Sequence, residues 1–184
     1  MTITTRRLTY EDLLETPDDR NRYEIIDGEL IVSPAPRISH QRAAFNLASM
    51  LRLYVLEHRL GEVFIAPLDI KLSEHDIVEP DILFVSDSRR SIVEDAFITE
   101  APDLVVEVLS SSSRNRDRGP KMALYERSGV SEYWLADPDA ASVTVYSATD
   151  GTFRIVSPDG DGRTGSLIVP GFLIDPAEIF AISS

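Results

Sequence analysis

The chain contains no cysteine, which excludes a disulfide framework and every thiolate metal site. Its three histidines show neither a His-X-His nor a His-Glu-X-X-His spacing, so a zinc hydrolase has no support. No Gly-rich phosphate loop and no Gly-X-Ser-X-Gly elbow occurs. No apolar run is long enough to span a bilayer, and Met1 to Arg7 lack the apolar core of a secretory signal. A cytoplasmic protein with no membrane attachment is the resulting expectation. Basic side chains are also scarce: 18 Lys and Arg stand against 31 Asp and Glu, a net charge of −13. That balance opposes broad phosphate-backbone binding, which draws on Lys and Arg. Only a local cluster can overcome it, and one exists at Arg114, Arg116, Arg118 and Lys121, interrupted by Asp117.

What is present suits one compact domain over residues 1–184, with 43% hydrophobic side chains and no internal repeat or linker. Thr9-Tyr10-Glu11-Asp12 predicts a capped short helix near 10–16, ending at Pro17. Strands over 23–26 and 29–32 are joined by Asp27-Gly28, a two-residue hairpin turn. A stripe at helical spacing (His40, Ala43, Ala44, Leu47, Met50, Leu51, Tyr54, Val55, His58) predicts a long helix that Gly61 stops. Strands follow near 62–66, 69–72, 81–85 and 103–109. A helix from Ser113 to Arg127, closed by Gly129, leads to a strand over 131–136. Two short strands (142–147, 152–156) and a turn-rich tail complete the chain. A strand–helix–strand crossover over 103–136 requires parallel pairing, whereas the hairpins are antiparallel. An α/β (α+β) fold with a central mixed sheet flanked by helices is expected.

Glu107 is the most informative residue. It interrupts Leu104-Val105-Val106-Glu107-Val108-Leu109, a run apolar on both faces of a strand. A carboxylate buried there needs a basic partner, a metal ion or a proton, because an uncompensated buried charge is very costly. A second acid, Asp81, opens the strand Pro80-Asp81-Ile82-Leu83-Phe84-Val85. Two carboxylates at two core strands point to a metal site.

These residues carry a family resemblance. Pro80-Asp81 followed by Glu107-Val108-Leu109 resembles the Pro-Asp…(Asp/Glu)-X-Lys signature of the PD-(D/E)XK nuclease superfamily. With Tyr23 to Glu29, Glu79-Pro80-Asp81-Ile82, Leu104 to Ser110 and Lys121 to Trp134, the chain is similar to the Uma-type restriction endonuclease family. The likeness is strongest over residues 20–140. It departs from the superfamily at Leu109, where the pattern has lysine; Lys121, on the following helix, is the nearest replacement.

The resemblance implies a restriction-endonuclease-like fold and a metal-dependent endonuclease hydrolysing phosphodiester bonds. Asp81, Glu107 and the carbonyl of Val108 would hold Mg²⁺ or Mn²⁺, hard cations that prefer oxygen. Lys121 would assist the attacking water, with Glu24 an additional acid, and Arg114, Arg116 and Arg118 would contact phosphates. The implied partner is nucleic acid, DNA in the first place. A homodimer and a specificity partner protein are further expectations, because no recognition domain fits this length.

Each residue also has an ordinary explanation. Asp81 could cap backbone after its proline, and Glu107 could pair with an internal arginine. Asp117 and Lys121 are spaced for a surface helix pair, Glu24 for a cross-strand ion pair, and His40 for a hydrogen-bonded core histidine. The rival to an enzyme is a decayed nuclease-fold module that binds nucleic acid or protein. Asp81, Glu107 and Lys121 taken together, in family order, favour the enzyme.

Overall fold

The computed structural model describes residues 6–181. Residues 1–5, part of the stretch read above for a secretory signal, and 182–184 lie outside the described residues. The first elements are α1 (Tyr10–Leu14), β1 (Arg22–Ile26), β2 (Glu29–Ser33), α2 (Ile38–His58), β3 (Gly61–Ile65), β4 (Asp69–Ser73) and β5 (Asp76–Val78). Next come β6 (Ile82–Ser86), β7 (Phe97–Ile98), β8 (Leu104–Val108), α3 (Arg114–Asp117) and α4 (Pro120–Ser128). The chain continues through β9 (Glu132–Asp137), β10 (Ser142–Thr149), β11 (Thr152–Val156), β12 (Thr164–Gly165), β13 (Leu173–Ile174) and α5 (Pro176–Phe180).

A six-stranded sheet in the order β11-β10-β9-β8-β6-β3 forms the centre. Only β8 and β9 run parallel in it, the pairing that their helical crossover requires. A five-stranded sheet, β2-β1-β5-β4-β7, carries the hairpin. Asp27 (φ 54°) and Gly28 (φ 80°) both take the left-handed conformation of the turn that matches strand twist.

The alternation in β8 separates two cores. Leu104, Val106 and Val108 face Ala43, Leu47, Leu51 and Val55 of α2, with Trp134 alongside. Val105 and Leu109 face the other way, toward Leu124 and Tyr125 of α4 and Ile70 and Val78 of the second sheet. Each such fully buried Leu or Val contributes about 1.5–3 kcal/mol. Glu107 shares the second face, aimed at α4.

Two expectations need correction. The helix expected over 113–127 is two helices, α3 and α4, broken at Arg118-Gly119 ahead of Pro120. Proline lacks the N–H and fixes φ for a first helical turn, so a new helix starts there. Gly61 does not stop α2: Arg59 does, in the left-handed conformation (φ 54°). Gly61 instead lets β3 approach β6, since a Cβ there would stand 2.1 Å from the Val85 carbonyl oxygen. Gly129 does close α4 (φ 87°). The short strands β5 and β7 have no counterpart among the expected elements.

Candidate active site

β6 and β8 are neighbours, with Ile82 opposite Val106, so residues at their adjoining ends are brought together. Asp81, at the entrance to β6, accepts the Val108 N–H on Oδ2 at 2.7 Å. Arg22 Nη1 donates to Oδ1 at 3.0 Å, and His40 Nε2 lies 3.1 Å from Oδ2. Burial opposes ionisation of Asp81, but His40, Arg22 and the Val108 amide together hold its carboxyl below the ordinary range.

Glu107 Oε1 lies 2.6 Å from Lys121 Nζ and accepts the Tyr125 hydroxyl at 2.8 Å. Lys121 also donates to Glu24 Oε1 at 2.7 Å, and the Glu79 N–H reaches the same oxygen at 2.9 Å. One ammonium therefore bridges acids from two sheets. Lys121 is 1% exposed, so it is no member of a surface helix pair with Asp117, itself buried. The break at Gly119 restarts the helix and turns Lys121 inward.

One lysine cannot compensate two buried carboxylates equally. Burial works against Glu24, yet Lys121 and the Glu79 amide bring its carboxyl below the ordinary range. Glu107 is pushed up to about 8 by burial, against Lys121 and with Asp117, Asp81 and Glu24 adding to the rise. Lys121 pays a burial penalty, but Glu107 and Glu24 hold its ammonium above the usual lysine value. Around them stand four carboxylates, Asp81, Glu107, Glu24 and Asp117, and three permanent cations, Arg22, Arg116 and Lys121. Glu24 Oε2 and Asp117 Oδ1 are buried with no hydrogen-bond partner among the described residues.

The group lies at a cleft of about 280 Å³ lined by Pro34 to Arg37, Ser110 to Ser113, His40, Asp81, Glu107, Val108, Arg116 and Lys121. Asp81, Glu107, Val108 and Lys121 thus converge on it, with Glu24 behind Lys121. The arginine cluster does not converge as expected. Arg114 pairs with Asp137 and Asp139, and Arg118 with Asp137; neither lines the cleft. Arg116 does, donating to Ser33 Oγ at 2.8 Å.

Three participants escaped the sequence reading. His40 is buried, but beside Asp81 rather than in an apolar core; its place at the head of a mostly apolar stripe was the only sign. Arg22 stands two residues before Glu24, on the same side of β1 by alternation. Tyr125 follows Lys121 by one helical turn.

The donors at the cleft are carboxylate and carbonyl oxygens, a set suited to hard divalent cations. The neighbouring carboxylates that help raise Glu107 would be offset by one added cation. Among the described residues, no three His, Asp or Glu side chains already form a metal-ligand cluster. No helix among them is long and apolar enough to cross a membrane.

Residues 9–177 match the family model Uma2, described as "Putative restriction endonuclease". An uncharacterized protein of Synechocystis sp. is 27% identical over 146 residues, which is 78% of this chain and 82% of that protein. The crystal structure of "a putative nuclease belonging to DUF820" from Anabaena variabilis superposes with a TM-score of 0.77. The two are 22% identical, and the match covers 94% of this chain and 97% of the other. At that identity the likeness establishes the fold.

Proposed function

The chain belongs to the Uma2 family of restriction-endonuclease-type proteins, and from that membership we propose that it is a divalent-metal-dependent endonuclease acting on nucleic acid. The observation that carries the proposal is Lys121, set between Glu107 and Glu24 at the cleft that Asp81 also lines. It would supply from α4 the cation that Leu109, just past β8, does not.

Asp81, Glu107 and the Val108 carbonyl would hold Mg²⁺ or Mn²⁺. When bound, such an ion neutralises phosphate charge and makes water more acidic. The protein's own groups do the rest. Arg22 and the Val108 amide fix the Asp81 carboxylate, and Tyr125 orients Glu107. Glu24 keeps Lys121 protonated and pointed at the cleft, where its ammonium steadies the negative charge that grows on phosphate oxygens. Arg116 positions the phosphate next to the scissile one. In the reaction a water oxygen bonds to phosphorus, one P–O ester bond breaks, and the departing oxygen gains a proton.

The test is a cleavage assay on single- and double-stranded DNA and RNA, with Mg²⁺, Mn²⁺ or a chelator, beside Asp81→Ala. Metal-dependent cleavage that Asp81→Ala abolishes is expected. Cleavage that survives the substitution would place the activity elsewhere. One observation favours the binding-module rival: Asp81 already accepts from Arg22 and Val108 and lies beside His40. Titration calorimetry with Mn²⁺ separates the two, since the rival binds no metal at Asp81.

A further inference from the structure

The longest acid-free stretch of the sequence runs from Leu30 to Leu56; Glu29 precedes it and Glu57 follows. In a chain with 31 acidic side chains, its charged positions are all arginine: Arg37, Arg42 and Arg52. Most of this stretch is α2. That helix buries His40, Ala43, Leu47, Ala48, Leu51 and Val55. At 3.6 residues per turn the opposite face carries Ile38, Arg42, Phe45, Arg52 and Leu56. Phe45 is 71% exposed, a large aromatic ring turned to solvent between two arginines. The first turn of α2 reaches the cleft, which Arg37, Ser39 and His40 line. From Arg37 to Arg52 the helix rises about 22 Å, the reach of a few nucleotides.

We propose that this outer face of α2 is a binding surface for single-stranded nucleic acid that leads into the cleft. Arg37, Arg42 and Arg52 take backbone phosphates, and Phe45 stacks on a base. The proposal rests on the nuclease reading and replaces Arg114 and Arg118, whose guanidiniums are held by Asp137. A single strand is favoured because Phe45 needs an unpaired base with a free π-face, which a duplex keeps stacked inside. The line of cations explains how a molecule of net charge −13 can still hold phosphates: the segment itself carries no carboxylate, and Glu62 and Asp87 stand beside Arg52 only at its far end. A second copy of the chain fits this face less well. Two-fold packing would set arginines against arginines, with no acid from Leu30 to Leu56 to offset Arg37 and Arg42, and like charges brought together in an interface are costly.

The experiment is fluorescence anisotropy of the full chain with a labelled oligothymidylate and a matched duplex. It is run in EDTA so that nothing is cut, over a range of salt. Phe45→Ala and the double variant Arg42→Gln/Arg52→Gln are run alongside; Phe45 and Arg52 are exposed, Arg42 is half-buried, and none belongs to the core. The single strand is expected to bind more tightly than the duplex. Phe45→Ala should weaken it roughly tenfold or more. The double variant should lower the slope of log K against log salt by about 1.4. Undetectable binding, unchanged binding in both variants, or equal binding of duplex would overturn the proposal. So would substitutions that split a dimer in sedimentation without altering strand binding. Loss of the nuclease reading shows separately, as strand binding without metal-dependent cleavage.

Discussion

Lys121 and Glu107 determine how the buried centre behaves. Removing the ammonium in Lys121→Met leaves two carboxylates facing each other with no cation between them. Breaking a buried pair in this way costs about 3–5 kcal/mol, read by urea denaturation. Adding Glu107→Gln to that variant should restore part of the loss; no recovery would mean that Glu107 carries no uncompensated charge. The pH dependence follows from the same imbalance. Glu107 is raised from 4.5 to about 8, so between these values the folded state binds more protons than the unfolded chain. Stability therefore falls as pH rises through that window. Glu79, raised to about 7 mainly by burial, acts in the same direction. Glu107→Gln should flatten the fall without abolishing it, and an unchanged profile would contradict the assignment. At this scale the sequence revealed the acids, because a charge in a β-branched run has few ordinary explanations. It pointed to Lys121 through the family pattern but not to Arg22, His40 or Tyr125, which meet the acids only through tertiary packing.

At the level of elements, periodicity was most legible where burial is one-sided or complete. The two faces of β8, the Asp27-Gly28 hairpin and the Gly129 terminus of α4 all follow from local chemistry. The division between α3 and α4 was missed although Gly119-Pro120 marks it, because residues 113–118 carry no apolar side chain whose spacing could show a separate helix. Strands β5 and β7 are too short for any alternation to register. Gly61 had a readable identity and a misread purpose: its constraint comes from β6, distant in sequence. Gly61→Ala should therefore destabilise the fold by about 1–3 kcal/mol or more from backbone strain alone, with the Val85 contact adding to it. A denaturation midpoint equal to wild type would mean that β3 and β6 are not held at this separation.

For the whole molecule, the excess of acid has a thermal consequence. On the proposed function, a divalent ion held only by the folded state at Asp81 and Glu107 would raise stability by about 2.7 kcal/mol at a hundred times its Kd. Mn²⁺ should accordingly raise the melting temperature of the wild type and leave that of Asp81→Asn unmoved. We also propose that the chain unfolds as one domain, in one cooperative transition seen alike by circular dichroism and Trp134 fluorescence. Net charge misleads when read without position: −13 disfavours a nucleic-acid partner on average, while residues 30–56 carry no acid at all.

The most direct test is single-turnover cleavage of a nucleic-acid strand with Mg²⁺ or Mn²⁺, comparing wild type with Lys121→Gln and Asp81→Asn, each verified as folded. The proposed chemistry predicts metal-dependent scission by the wild type and a loss of roughly a hundredfold or more in each variant. Scission at the wild-type rate in folded Lys121→Gln would contradict it, because the lysine between Glu107 and Glu24 would then have no part in the reaction.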